Sequence, residues 1–594
     1  MNSDKYDFVI SIGGAAGQGI AAPGDVLAWI FVRRGLHLYT YNAYQSIIRG
    51  GHIFLTFRVS TEKVYNHGDK TDLLICLNQD TMDRHLKHME PGSWVIYNSD
   101  TIKPGEAQDG VQLCGIPIKE LSNNNRNKLV QNTGALGVCM HILGLDFGIL
   151  EDILTKQFIR KGQTVVDENI GVARAACDYA VANFTPCSEA IPEGEKPQAW
   201  WSGNEALAMG GACAGVKFYA AYPMSPATGV LHWMAKYARD LGIMVRQVED
   251  EIGVATMAIG AAATGTRAMC ATSGGGFALM TEAVGSAGMM EIPVVMINVQ
   301  RAGPSTGVPT KTEQGDLWQM LGASQGDFPR IIVAPKDALD AFNTVPELFN
   351  LVDRYQCPGI IISDLLISEG RSSVDPDDIN FHPNIDLGEL ITKHSTNGDE
   401  YLRYKNTESG ISPRAVPGLK GYVHVMATDE QDEDGVLISD EFTNPVKRRM
   451  MVEKRGRKMQ DIFEHVAAPE IEGPKEADVT LVGWGSTYGV IHEAVEQLKT
   501  EGITANQLPI KWIVPFHVKE IMEILSNCKK VIMVENNYSG QFYRYMRSET
   551  GLNVDTHIRK YDGEPFMPHQ VTNGVKEILD GETEVFVPEH KIMV

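Results

Sequence analysis

The fold class of this chain is indicated by residues 299–314, which read VQRAGPSTGVPTKTEQ. An apolar run rich in β-branched residues (Ile292–Val299) enters the stretch, Arg301 follows, and the remainder holds two glycines, two prolines, four hydroxyl side chains and a lysine. A strand feeding such a loop is typical of the carboxyl edge of a parallel sheet, where α/β proteins bind ligands. Because arginine holds planar anions with a fork of donors, the stretch predicts an anion site. An ordinary surface loop with a solvated arginine is the alternative, and this stretch alone does not decide between them.

Length, composition and charge narrow the class of protein. A chain of 594 residues has room for roughly three or four domains of ~100–200 residues each. Its hydrophobic content of 43% and charged content of 22% are ordinary for a globular protein, and its net charge of −22 argues against broad nucleic-acid or anionic-membrane binding. The start, MNSDKYDFVI, has acidic residues where a signal peptide needs basic ones, and no apolar run reaches ~18 residues. We therefore expect a cytoplasmic protein.

The cysteines give no sign of a metal cluster. Nine are scattered along the chain, and no two have the Cys-x-x-Cys spacing. An odd number of unpaired cysteines fits reduced, mostly buried thiols, and lacks the ligand pattern of iron–sulfur or structural zinc sites. We expect no metal site carried by this chain alone.

Alternating apolar strands and helical runs predict a multidomain α/β fold. We expect an α/β domain over residues 1–190, a doubly wound parallel sheet over 200–385, an irregular connecting segment over 386–475 and a smaller α/β domain over 476–594. In the connecting segment, the acidic run 429–435 lacks the spaced ligands of an EF-hand loop and is interpreted as a solvated turn. The predicted strands are Tyr6–Ile12, Leu36–Tyr41, Ile53–Val59, Asp72–Leu77, Ser93–Tyr97, Val216–Ala221, Ile243–Val248, Arg267–Ala271, Ile292–Val299, Arg330–Val333, Gly359–Ser363, Val479–Trp484 and Lys530–Glu535.

Two flexible loops in the first domain are candidates for anion binding. The glycine run Gly13–Gly19 follows a strand and opens a helix, which is the context for backbone amides that cradle a phosphate. It does not spell G-x-G-x-x-G, and the second strand is followed by Asn42 rather than an acidic residue, so a nicotinamide dehydrogenase is disfavoured. Arg49–His52 adds a second flexible, cationic element. The alternative for both loops is an ordinary turn between packed elements that binds no phosphate.

Polar residues follow several strands of the central domain. Glu251 stands near the start of a helix of small residues, where a flat ring or another backbone can approach closely. A carboxylate there is either a favourable helix-terminus charge, worth ~0.3–1 kcal/mol, or a proton donor to a ring nitrogen. Thr272–Gly276 forms another strand-to-helix turn, and Tyr222–Thr228 fixes hydroxyls between prolines. With Arg301, these strand ends place a carboxylate, hydroxyls, glycines and a cation at one predicted sheet edge.

Taken in this order, the motifs resemble those of the 2-oxoacid:ferredoxin oxidoreductases, in a chain that fuses the γ and α parts and is most like the α subunit of the 2-oxoglutarate enzymes. The resemblance covers nearly the whole sequence. Gly13–Ile20 and Ile48–Gly51 resemble the γ domain. Four segments resemble the pyrimidine-binding domain for thiamine diphosphate: Tyr222–Thr228, Asp250–Gly253, Thr272–Gly276 and Arg301–Gln314. Three further segments resemble the transketolase C-terminal-like domain: Gly483–Ser486, Pro515–Phe516 and Val534–Gln541.

The resemblance implies roles for individual residues. Glu251 would hydrogen-bond the pyrimidine nitrogen of thiamine diphosphate, and Arg301 would hold the C1 carboxylate of a 2-oxo acid. Ser225 stands where the family more often has threonine, so a catalytic hydroxyl is kept without its methyl group. Thr310 and Lys311 would contact the substrate tail, and a lysine there favours 2-oxoglutarate over pyruvate, branched-chain or aryl 2-oxo acids. Further expected cofactor contacts come from Tyr222, Pro223, Thr272, Ser273 and Gly274.

The same resemblance implies a partner. The chain lacks a Gly-Asp-Gly followed ~25–30 residues later by Asn-Asn, the oxygen-rich segment with which related enzymes hold Mg²⁺ and the diphosphate. A β subunit is therefore expected to supply that half of the site and a [4Fe-4S] cluster, in a dimer of heterodimers. Ferredoxins are acidic, as is this chain, so ferredoxin is expected to dock mainly on the partner. Coenzyme A, the co-substrate, is expected to contact Gly17, Gln18, Gly19 and Arg49. A non-catalytic scaffold subunit is the contrasting hypothesis.

Overall fold

The alternating apolar runs and turns fold as three main α/β sheets. The structure is a computed structural model that describes residues 5–45, 50–122, 128–394, 400–438 and 444–589. One unit comprises the residues up to 201 together with 370–379, and a second comprises 202–369 together with 380–588. An eight-stranded sheet belongs to the first unit, and a seven-stranded and a five-stranded sheet belong to the second. The predicted multidomain α/β fold class is confirmed.

The strands, in chain order, are β1 (Asp7–Ala16), β2 (His37–Ala43), β3 (Gly50–Ser60), β4 (Leu73–Cys76), β5 (Trp94–Asn98), β6 (Gln112–Ile116), β7 (Ala199–Ser202), β8 (Phe218–Ala221), β9 (Met244–Gln247), β10 (Ala268–Thr272), β11 (Val294–Gln300), β12 (Ile331–Val333), β13 (Pro358–Asp364), β14 (Arg371–Val374), β15 (Leu390–Ile391), β16 (Arg414–Ala415), β17 (Val479–Trp484), β18 (Ala505–Ile510), β19 (Trp512–Val514), β20 (Val531–Glu535), β21 (His557–Arg559) and β22 (Val585–Phe586). The helices are α1 (Ala21–Arg33), α2 (Gln79–His85), α3 (Ile118–Leu121), α4 (Lys128–Ile142), α5 (Phe147–Phe158), α6 (Gln163–Asn183), α7 (Gly203–Cys213), α8 (Thr228–Leu241), α9 (Glu251–Ala263), α10 (Gly274–Met289), α11 (Leu317–Leu321), α12 (Ala338–Tyr355), α13 (Leu365–Glu369), α14 (Pro445–Arg457), α15 (Thr487–Thr500), α16 (Val518–Ser526), α17 (Gln541–Thr550) and α18 (Pro568–Leu579). Short 3₁₀ helices cover Leu86–His88, Ile159–Lys161, Pro376–Asp378 and Ile462–Glu464.

The sheet of the first unit is mixed, with the order β6-β5-β4-β1-β3-β2-β14-β7. Strands β1, β4, β5 and β6 are parallel, whereas β3 is antiparallel to both β1 and β2. Helix α1 buries Leu27, Ile30 and Phe31 in the core of this unit. Complete burial of such side chains stabilises a fold by about 1.5–3 kcal/mol each, so this apolar helix face fixes α1 in the unit.

The glycine run at the end of β1 is partly strand rather than loop, which corrects the expectation that it forms a turn from Gly13 onward. Gly13 pairs with Phe54 and Gly14 with Ile53 across the β1–β3 ladder. A Cβ atom on Gly13 would lie 2.3 Å from Cγ2 of Thr81, so this strand position has no room for a side chain. The turn itself lies at Gly17 and Gly19, the residues of the run that have positive φ angles.

The seven-stranded sheet of the second unit has the order β19-β12-β13-β11-β10-β8-β9, and its strands are parallel except for β19 at one edge. All seven residues of β11 are buried, because the strand lies between β10 and β13 and both of its faces are covered. Such strands are near-continuous apolar runs, and the predicted strand Ile292–Val299 has this character. Helix α9 lines the same core with small residues such as Ala255 and Ala258.

A return of the chain to the first sheet was not predicted. Strand β14 pairs antiparallel with β2, with Arg371 opposite Thr40 and Ser372 opposite Tyr39. The hydroxyl of Ser373 also accepts a hydrogen bond from the backbone N–H of Leu38 at 2.9 Å. The residues of β14 thus belong to the first unit, although the chain on both sides of 370–379 belongs to the second.

The five-stranded sheet is entirely parallel, in the order β18-β17-β20-β21-β22. Its core includes Leu481 from β17 and Ile532 from β20. Helices α15 and α18 add Leu498 and Val575 to the same cluster. The predicted strands Val479–Trp484 and Lys530–Glu535 are confirmed as β17 and β20.

The segment expected to be irregular contains helix α14, which pairs with the acidic run. Glu430 accepts two hydrogen bonds from Arg455 at 2.8 Å, and Oδ2 of Asp432 lies 2.6 Å from Nζ of Lys447. The interpretation of 429–435 as a solvated turn is therefore wrong for these two carboxylates. They neutralise basic residues of α14, which is rich in lysine and arginine.

A buried charge cluster ties α14 to the end of α10. Glu291 is fully buried, and its carboxylate lies 2.8 Å from the ammonium group of Lys454 and within contact of Lys458. Arg403 donates to the backbone carbonyl of Glu291 at 2.9 Å. Burial opposes ionisation, but the charges of the three cations outweigh it and lower the pKa of Glu291 to about 2.

In the part of the chain that the structure describes, no helix has the length and apolar character needed to cross a lipid bilayer.

We predict that Glu291→Gln destabilises the second unit substantially. The substitution leaves two buried ammonium groups without a counter-ion, and breaking a buried ion pair in this way costs about 3–5 kcal/mol. The unfolding midpoint in a denaturant or thermal titration measures the effect. The matched control is Glu453→Gln on the same α14 helix, where the exposed pair with Arg449 is worth about 0–1 kcal/mol. Equal midpoints for the two variants would contradict the assignment.

The same cluster predicts an acid-dependent loss of stability. The folded-state pKa of Glu291, about 2, is below the ordinary value for glutamate of about 4.3. Its contribution is therefore complete above the ordinary pKa and is lost as the pH falls from about 4 towards 2. Glu291→Gln should reduce the slope of stability against pH in that interval, and an unchanged slope would show that Glu291 is not the titrating group.

Candidate functional site

Four neighbouring strands of the seven-stranded sheet end at one edge. Strands β11, β10, β8 and β9 are adjacent and parallel, so their carboxyl ends lie side by side. The segments that follow these ends hold the residues singled out from the sequence: Arg301, Thr272–Gly276, Tyr222–Thr228 and Glu251. The fold thus brings the candidate carboxylate, hydroxyls, glycines and arginine to one sheet edge.

Glu251 is a buried carboxylate at the start of α9. Asp250 caps the helix by accepting a hydrogen bond from the N–H of Gly253 at 2.7 Å, so Glu251 is not needed as the cap. Its side chain is 4% exposed, and Oε1 has no hydrogen-bond partner among the described residues. Buried carboxylates are normally hydrogen-bonded, so an unpartnered oxygen here indicates a group that is kept for a ligand.

A glycine allows helix α10 to approach this carboxylate closely. A Cβ atom on Gly276 would lie 2.2 Å from Oγ1 of Thr272 and 2.5 Å from Oε1 of Glu251. The first turn of α10 can therefore approach Glu251 only because residue 276 has no side chain. Thr272 is buried, and its hydroxyl lies 3.8 Å from the sulfur of Met224.

Arg301 is held through the backbone of the Tyr222–Thr228 segment. Its Nη1 donates to the carbonyl oxygen of Ser225 at 2.8 Å, while Nε is buried without a partner among the described residues. Burial lowers the pKa of Arg301, and the charge of Asp316 opposes this shift. The Ser225 side chain is exposed, as are Tyr222 and Pro223. Among the described residues, the bond to the Ser225 carbonyl thus leaves the Nε donor of the guanidinium group unsatisfied.

Asp316 is a residue that the sequence did not single out. Asn298 donates to Oδ2 of Asp316 at 2.9 Å, and Gln300 accepts from the backbone N–H of Asp316 at 3.0 Å. A Cβ atom on Gly274 would lie 2.5 Å from Oδ2 of Asp316, so the carboxylate also packs against the Thr272–Gly276 turn. Burial raises the pKa of Asp316, with Asn298 and Arg301 opposing the shift. Asp316 thus links the turn at the end of β10 to the region of Arg301.

Glu313 is a second carboxyl group that sequence reasoning missed. Partial burial, with a smaller contribution from the charge of Asp316, raises the pKa of Glu313 to about 7. A group with that pKa exchanges protons near neutral pH. Only the neighbouring Asp316 and the surrounding fold reveal this property, so the sequence pattern carried no signal for it.

The loop after Arg301 is fixed at both ends. At its start, the carbonyl of Ala302 accepts from the N–H of Val308 at 2.9 Å, and Lys311 accepts from the N–H of Ala302 at 3.0 Å. At its end, Gln314 donates to the carbonyl oxygen of Trp484 at 2.7 Å. Residues 303–308 between these anchors are exposed. The loop therefore has an ordered frame with an accessible tip.

The two residues proposed to choose the substrate tail differ in environment. Thr310 is buried, whereas Lys311 is partly exposed and forms an ion pair with Glu564. The next residue, Thr312, donates its backbone N–H to the carbonyl of Gly563 at 3.0 Å. Lys311 is thus near the 562–564 turn, and a ligand carboxylate would have to share or displace Glu564.

Several buried polar atoms at this edge and in its loop have no partner among the described residues. Each such group costs about 1–3 kcal/mol if it stays unsatisfied, so a cluster of them needs an explanation. A ligand ring that contains nitrogen would supply hydrogen-bonding partners to a carboxylate among such groups. The atoms are Glu251 Oε1, Ser273 Oγ, Asn298 Oδ1, Arg301 Nε and Thr312 Oγ1.

The candidate coenzyme A residues lie at the turn after β1. The side chain of Gln18 accepts from the N–H of Ala15 at 2.7 Å, and its backbone carbonyl accepts from Asn132 at 2.7 Å. Gly17 and Gly19 have φ angles of 87° and 75°, which favour glycine. Arg49 lies outside the described residues, so the role predicted for this group stays a prediction.

Family models match three parts of the chain. Residues 210–450 match the thiamine diphosphate-binding domain of pyruvate flavodoxin/ferredoxin oxidoreductases, and residues 9–179 match the model described as pyruvate ferredoxin/flavodoxin oxidoreductase. Residues 477–571 match core domain II of pyruvate:ferredoxin oxidoreductase. The first match contains Glu251, Thr272 and Arg301, so the candidate site lies within a thiamine diphosphate-binding domain.

Whole-chain comparisons agree with these matches. Subunit alpha of 2-oxoacid:ferredoxin oxidoreductase 2 from Aeropyrum pernix is 30% identical over 98% of this chain and 99% of its own length. The 2-oxoglutarate oxidoreductase subunit KorA of Mycobacterium tuberculosis is 29% identical over 96% and 92%, respectively. The solved structure of 2-oxoglutarate:ferredoxin oxidoreductase from Magnetococcus marinus, with 2-oxoglutarate, coenzyme A and succinyl-CoA bound, has a TM-score of 0.89 and 32% identity over 96% of this chain and 99% of that one. The chain therefore belongs to the alpha subunits of the 2-oxoacid:ferredoxin oxidoreductase family.

Proposed function

We propose that this chain, with its γ and α parts fused, is the α subunit of a 2-oxoglutarate:ferredoxin oxidoreductase. The reaction is the reversible, coenzyme A-dependent conversion of 2-oxoglutarate to succinyl-CoA and CO₂. Two electrons leave the substrate for ferredoxin, and one proton is released. The observation that carries the proposal is the buried, unpartnered Oε1 of Glu251, which helix α10 approaches closely at Gly276.

The domain assignment belongs to the same proposal. We assign residues 1–190 to a γ-type domain, 200–385 to the pyrimidine-binding domain, 386–475 to a connecting segment and 476–594 to a transketolase C-terminal-like domain. The family matches at 9–179, 210–450 and 477–571 support this order.

Glu251 is assigned the contact to the cofactor ring. Thiamine diphosphate, when bound, supplies a nucleophilic carbon and an electron sink, so the protein's contribution is orientation and charge. Oε1 of Glu251 is available to hydrogen-bond a ring nitrogen and to hold or release a proton there. Thr272, Ser273 and Gly274 are assigned further contacts to the cofactor, as are Tyr222 and Pro223 on the neighbouring strand end.

Arg301 is assigned the C1 carboxylate of the substrate. Nη1 is engaged by the carbonyl of Ser225, which orients the guanidinium plane, and Nε has no partner among the described residues. Guanidinium–carboxylate pairs are frequently bidentate, so this group can fix both the position and the rotation of the acid. The exposed hydroxyl of Ser225 is assigned to the substrate and cofactor as an additional polar contact.

Lys311 and Thr310 are assigned to the far end of the substrate. The γ-carboxylate of 2-oxoglutarate is an anion that pyruvate lacks, and Lys311 is a cation on the same loop as Arg301. Glu564 currently neutralises it, so a substrate carboxylate would compete with Glu564 for the ammonium group. The Magnetococcus marinus relative, solved with 2-oxoglutarate bound, supports this substrate over pyruvate, branched-chain or aryl 2-oxo acids.

The remaining chemistry is assigned to partners. We propose that a β subunit carries the Mg²⁺ and diphosphate half of the site together with a [4Fe-4S] cluster, and that ferredoxin docks mainly on it. The complex is proposed to be a dimer of heterodimers. In the γ-type domain, coenzyme A is proposed to contact Gly17, Gln18, Gly19 and Arg49.

We predict that Glu251→Ala and Glu251→Gln both abolish most of the turnover of the assembled complex. Positioned proton transfer contributes about 10²–10⁴-fold to a rate, so a loss of that size is expected in kcat for coenzyme A-dependent viologen reduction. The matched control is Glu249→Gln, two residues earlier in the chain and exposed, which should keep wild-type turnover. Full turnover in Glu251→Ala would instead support a non-catalytic scaffold subunit.

We predict opposite shifts in substrate preference for the two members of the Lys311–Glu564 pair. Lys311→Met removes the cation and should lower the kcat/KM ratio of 2-oxoglutarate to pyruvate by about tenfold or more, since a hydrogen bond to a charged group is worth ~1.5–3 kcal/mol. Glu564→Gln removes the competitor and should raise that ratio. Thr310→Ala should also change the preference more than the overall rate of electron transfer.

Arg301→Lys serves as the control for this experiment. Because the C1 carboxylate is common to all 2-oxo acids, this variant should raise KM for 2-oxoglutarate and pyruvate by similar factors. An unchanged preference in Lys311→Met and Thr310→Ala would refute their assignment, and a strong preference of the wild-type complex for pyruvate would refute 2-oxoglutarate as the substrate.

A further inference from the structure

The segment Val534–Gln541 spans the end of β20 and the start of α17, and it contacts the loop that carries the proposed substrate residues. None of its residues is among those assigned to the 2-oxo acid or to thiamine diphosphate. Its hydrogen bonds to the loop are made by two asparagines and one glutamine, which are Asn536, Asn537 and Gln541. We call these three residues the α17 clamp.

Gln541 holds the loop at two points. Its Nε2 donates to the carbonyl oxygen of Gly315 at 2.8 Å, and its Oε1 accepts from the backbone N–H of Trp318 at 3.3 Å. Because both partners are backbone atoms, the two bonds fix the path of the chain over residues 315–318. Gln541 is the first residue of α17 and is only partly buried, so its side chain can be replaced without opening a hydrophobic core.

The two asparagines hold the loop one residue earlier, at Gln314. The backbone N–H of Asn536 donates to Oε1 of Gln314 at 3.0 Å, and Nδ2 of Asn537 donates to the Gln314 carbonyl oxygen at 3.1 Å. Oδ1 of Asn537 in turn accepts from the backbone N–H groups of Gly540 and Gln541 at 2.8 and 3.2 Å. The residue that holds the loop therefore also fixes the start of α17, and the clamp is one hydrogen-bonded unit.

The two proposed substrate cations depend differently on this clamp. Nη1 of Arg301 bonds to the carbonyl oxygen of Ser225, which follows β8, so its guanidinium group has an anchor outside the clamp. Lys311 lies three residues before Gln314, on the part of the loop that leads into the clamp. Loss of clamp contacts should therefore displace Lys311 more than the guanidinium group of Arg301.

We propose that Gln541 is a positioning residue for substrate selection: acting through the backbone of the loop, it places Lys311 where the second carboxylate of a dianionic 2-oxo acid binds. The inference rests on the proposed function, because it takes Lys311 as the contact to that carboxylate. Misplacing a substrate-positioning group by about 1 Å can cost up to ~100-fold, so hydrogen bonds remote from the reacting atoms can control selection.

The test is Gln541→Met in the complex of the chain with its β subunit. Methionine keeps the length of the side chain and removes both hydrogen bonds. We expect the KM for 2-oxoglutarate to rise about threefold to tenfold, as for the loss of one or two hydrogen bonds. The KM for pyruvate, which lacks the second carboxylate, and kcat for both acids should change by less than about twofold, as expected when only binding of the tail is lost. An unchanged ratio of the two KM values overturns the proposal.

Gln163→Met is the matched control. Gln163 is likewise the first residue of a helix, α6, and its exposed side chain donates to Asp167 at 2.8 Å. This variant should leave both KM values unchanged. If Gln541 only stabilised the fold, Gln541→Met would lower the unfolding midpoint and the yield of active complex without changing either KM, and that result also overturns the proposal.

Hydrogen–deuterium exchange of the full chain tests the loop contact without turnover. The N–H groups of Gln314 and Trp318 are hydrogen-bonded to the clamp, so peptides over 311–318 should exchange faster in Gln541→Met than in the wild type. Peptides over 294–300, within the sheet, should not change. Equal exchange at 311–318 overturns the proposal. Wild-type turnover that favours pyruvate refutes the proposed function instead, and the exchange measurement then still decides whether Gln541 positions the loop.

A second variant keeps the test valid if Gln541→Met does not fold. Gln541→Asn keeps an uncharged amide at the start of α17 but shortens it by one methylene group, so it cannot reach both Gly315 and Trp318. It should raise the KM for 2-oxoglutarate relative to that for pyruvate, in the same direction as Gln541→Met. A wild-type ratio of KM values in Gln541→Asn, together with wild-type exchange at 311–318, overturns the proposal.

Discussion

The candidate site depends on one buried glutamine, Gln314, which holds the loop after Arg301 against the five-stranded sheet. Its side chain donates to the carbonyl of Trp484 at 2.7 Å and accepts from the N–H of Asn536 at 3.0 Å. Its backbone N–H donates to Asn536 at 2.7 Å, and its carbonyl accepts from Asn537 at 3.1 Å. Each bond adds only about 0.5–1.5 kcal/mol net, but loss of one partner leaves a buried group unsatisfied at a cost of ~1–3 kcal/mol. The loop that carries the proposed substrate contacts therefore takes its position from segments 170 and 222 residues further along the chain.

Two buried glutamates differ in how far the fold satisfies the hydrogen bonds of their carboxylates. Glu535 ends β20 and accepts hydrogen bonds from Asn537 at 2.9 Å and from the backbone N–H groups of Phe542 and Tyr543 at 2.9 and 3.0 Å. Glu251 also follows a strand and is equally buried, yet one of its oxygens has no partner among the described residues. The first carboxylate fixes the turn before α17. The second lies at the start of helix α9, and its unpartnered oxygen is the one that the proposed function assigns to the cofactor ring.

Local patterns predicted the strands and the edge at which they meet, because buried strands are apolar and β-branched and their turns contain glycine and proline. The same local rules failed at Gly13 and Gly14, where contact with Thr81 and pairing with β3 override the tendency of glycine to form turns. They also missed β14, because pairing between residues 40 and 371 leaves no local trace. Local patterns did not identify Glu564 and Asp316 for the same reason. Glu564 forms an ion pair with Lys311 across 253 residues, and Asp316 is buried beside Asn298 and the Gly274 turn. A sequence pattern can place residues at a strand end, but it cannot identify their partners from distant segments.

The turn after β17 connects the Arg301 loop with a hydrophobic core. Trp484 offers its backbone carbonyl to Gln314, while its buried side chain belongs to the same hydrophobic cluster as Phe516 and Phe542. Gly485 has a φ angle of 55°, and a Cβ atom there would lie 3.2 Å from Nε2 of Gln314, so this turn fits closely against the glutamine. Close-packed interiors transmit small displacements because there is no free volume to absorb them. A substitution that moved the Trp484 side chain would therefore displace the residue that positions the Arg301 loop. It would change turnover only to the extent that it stabilises one arrangement of that loop relative to another.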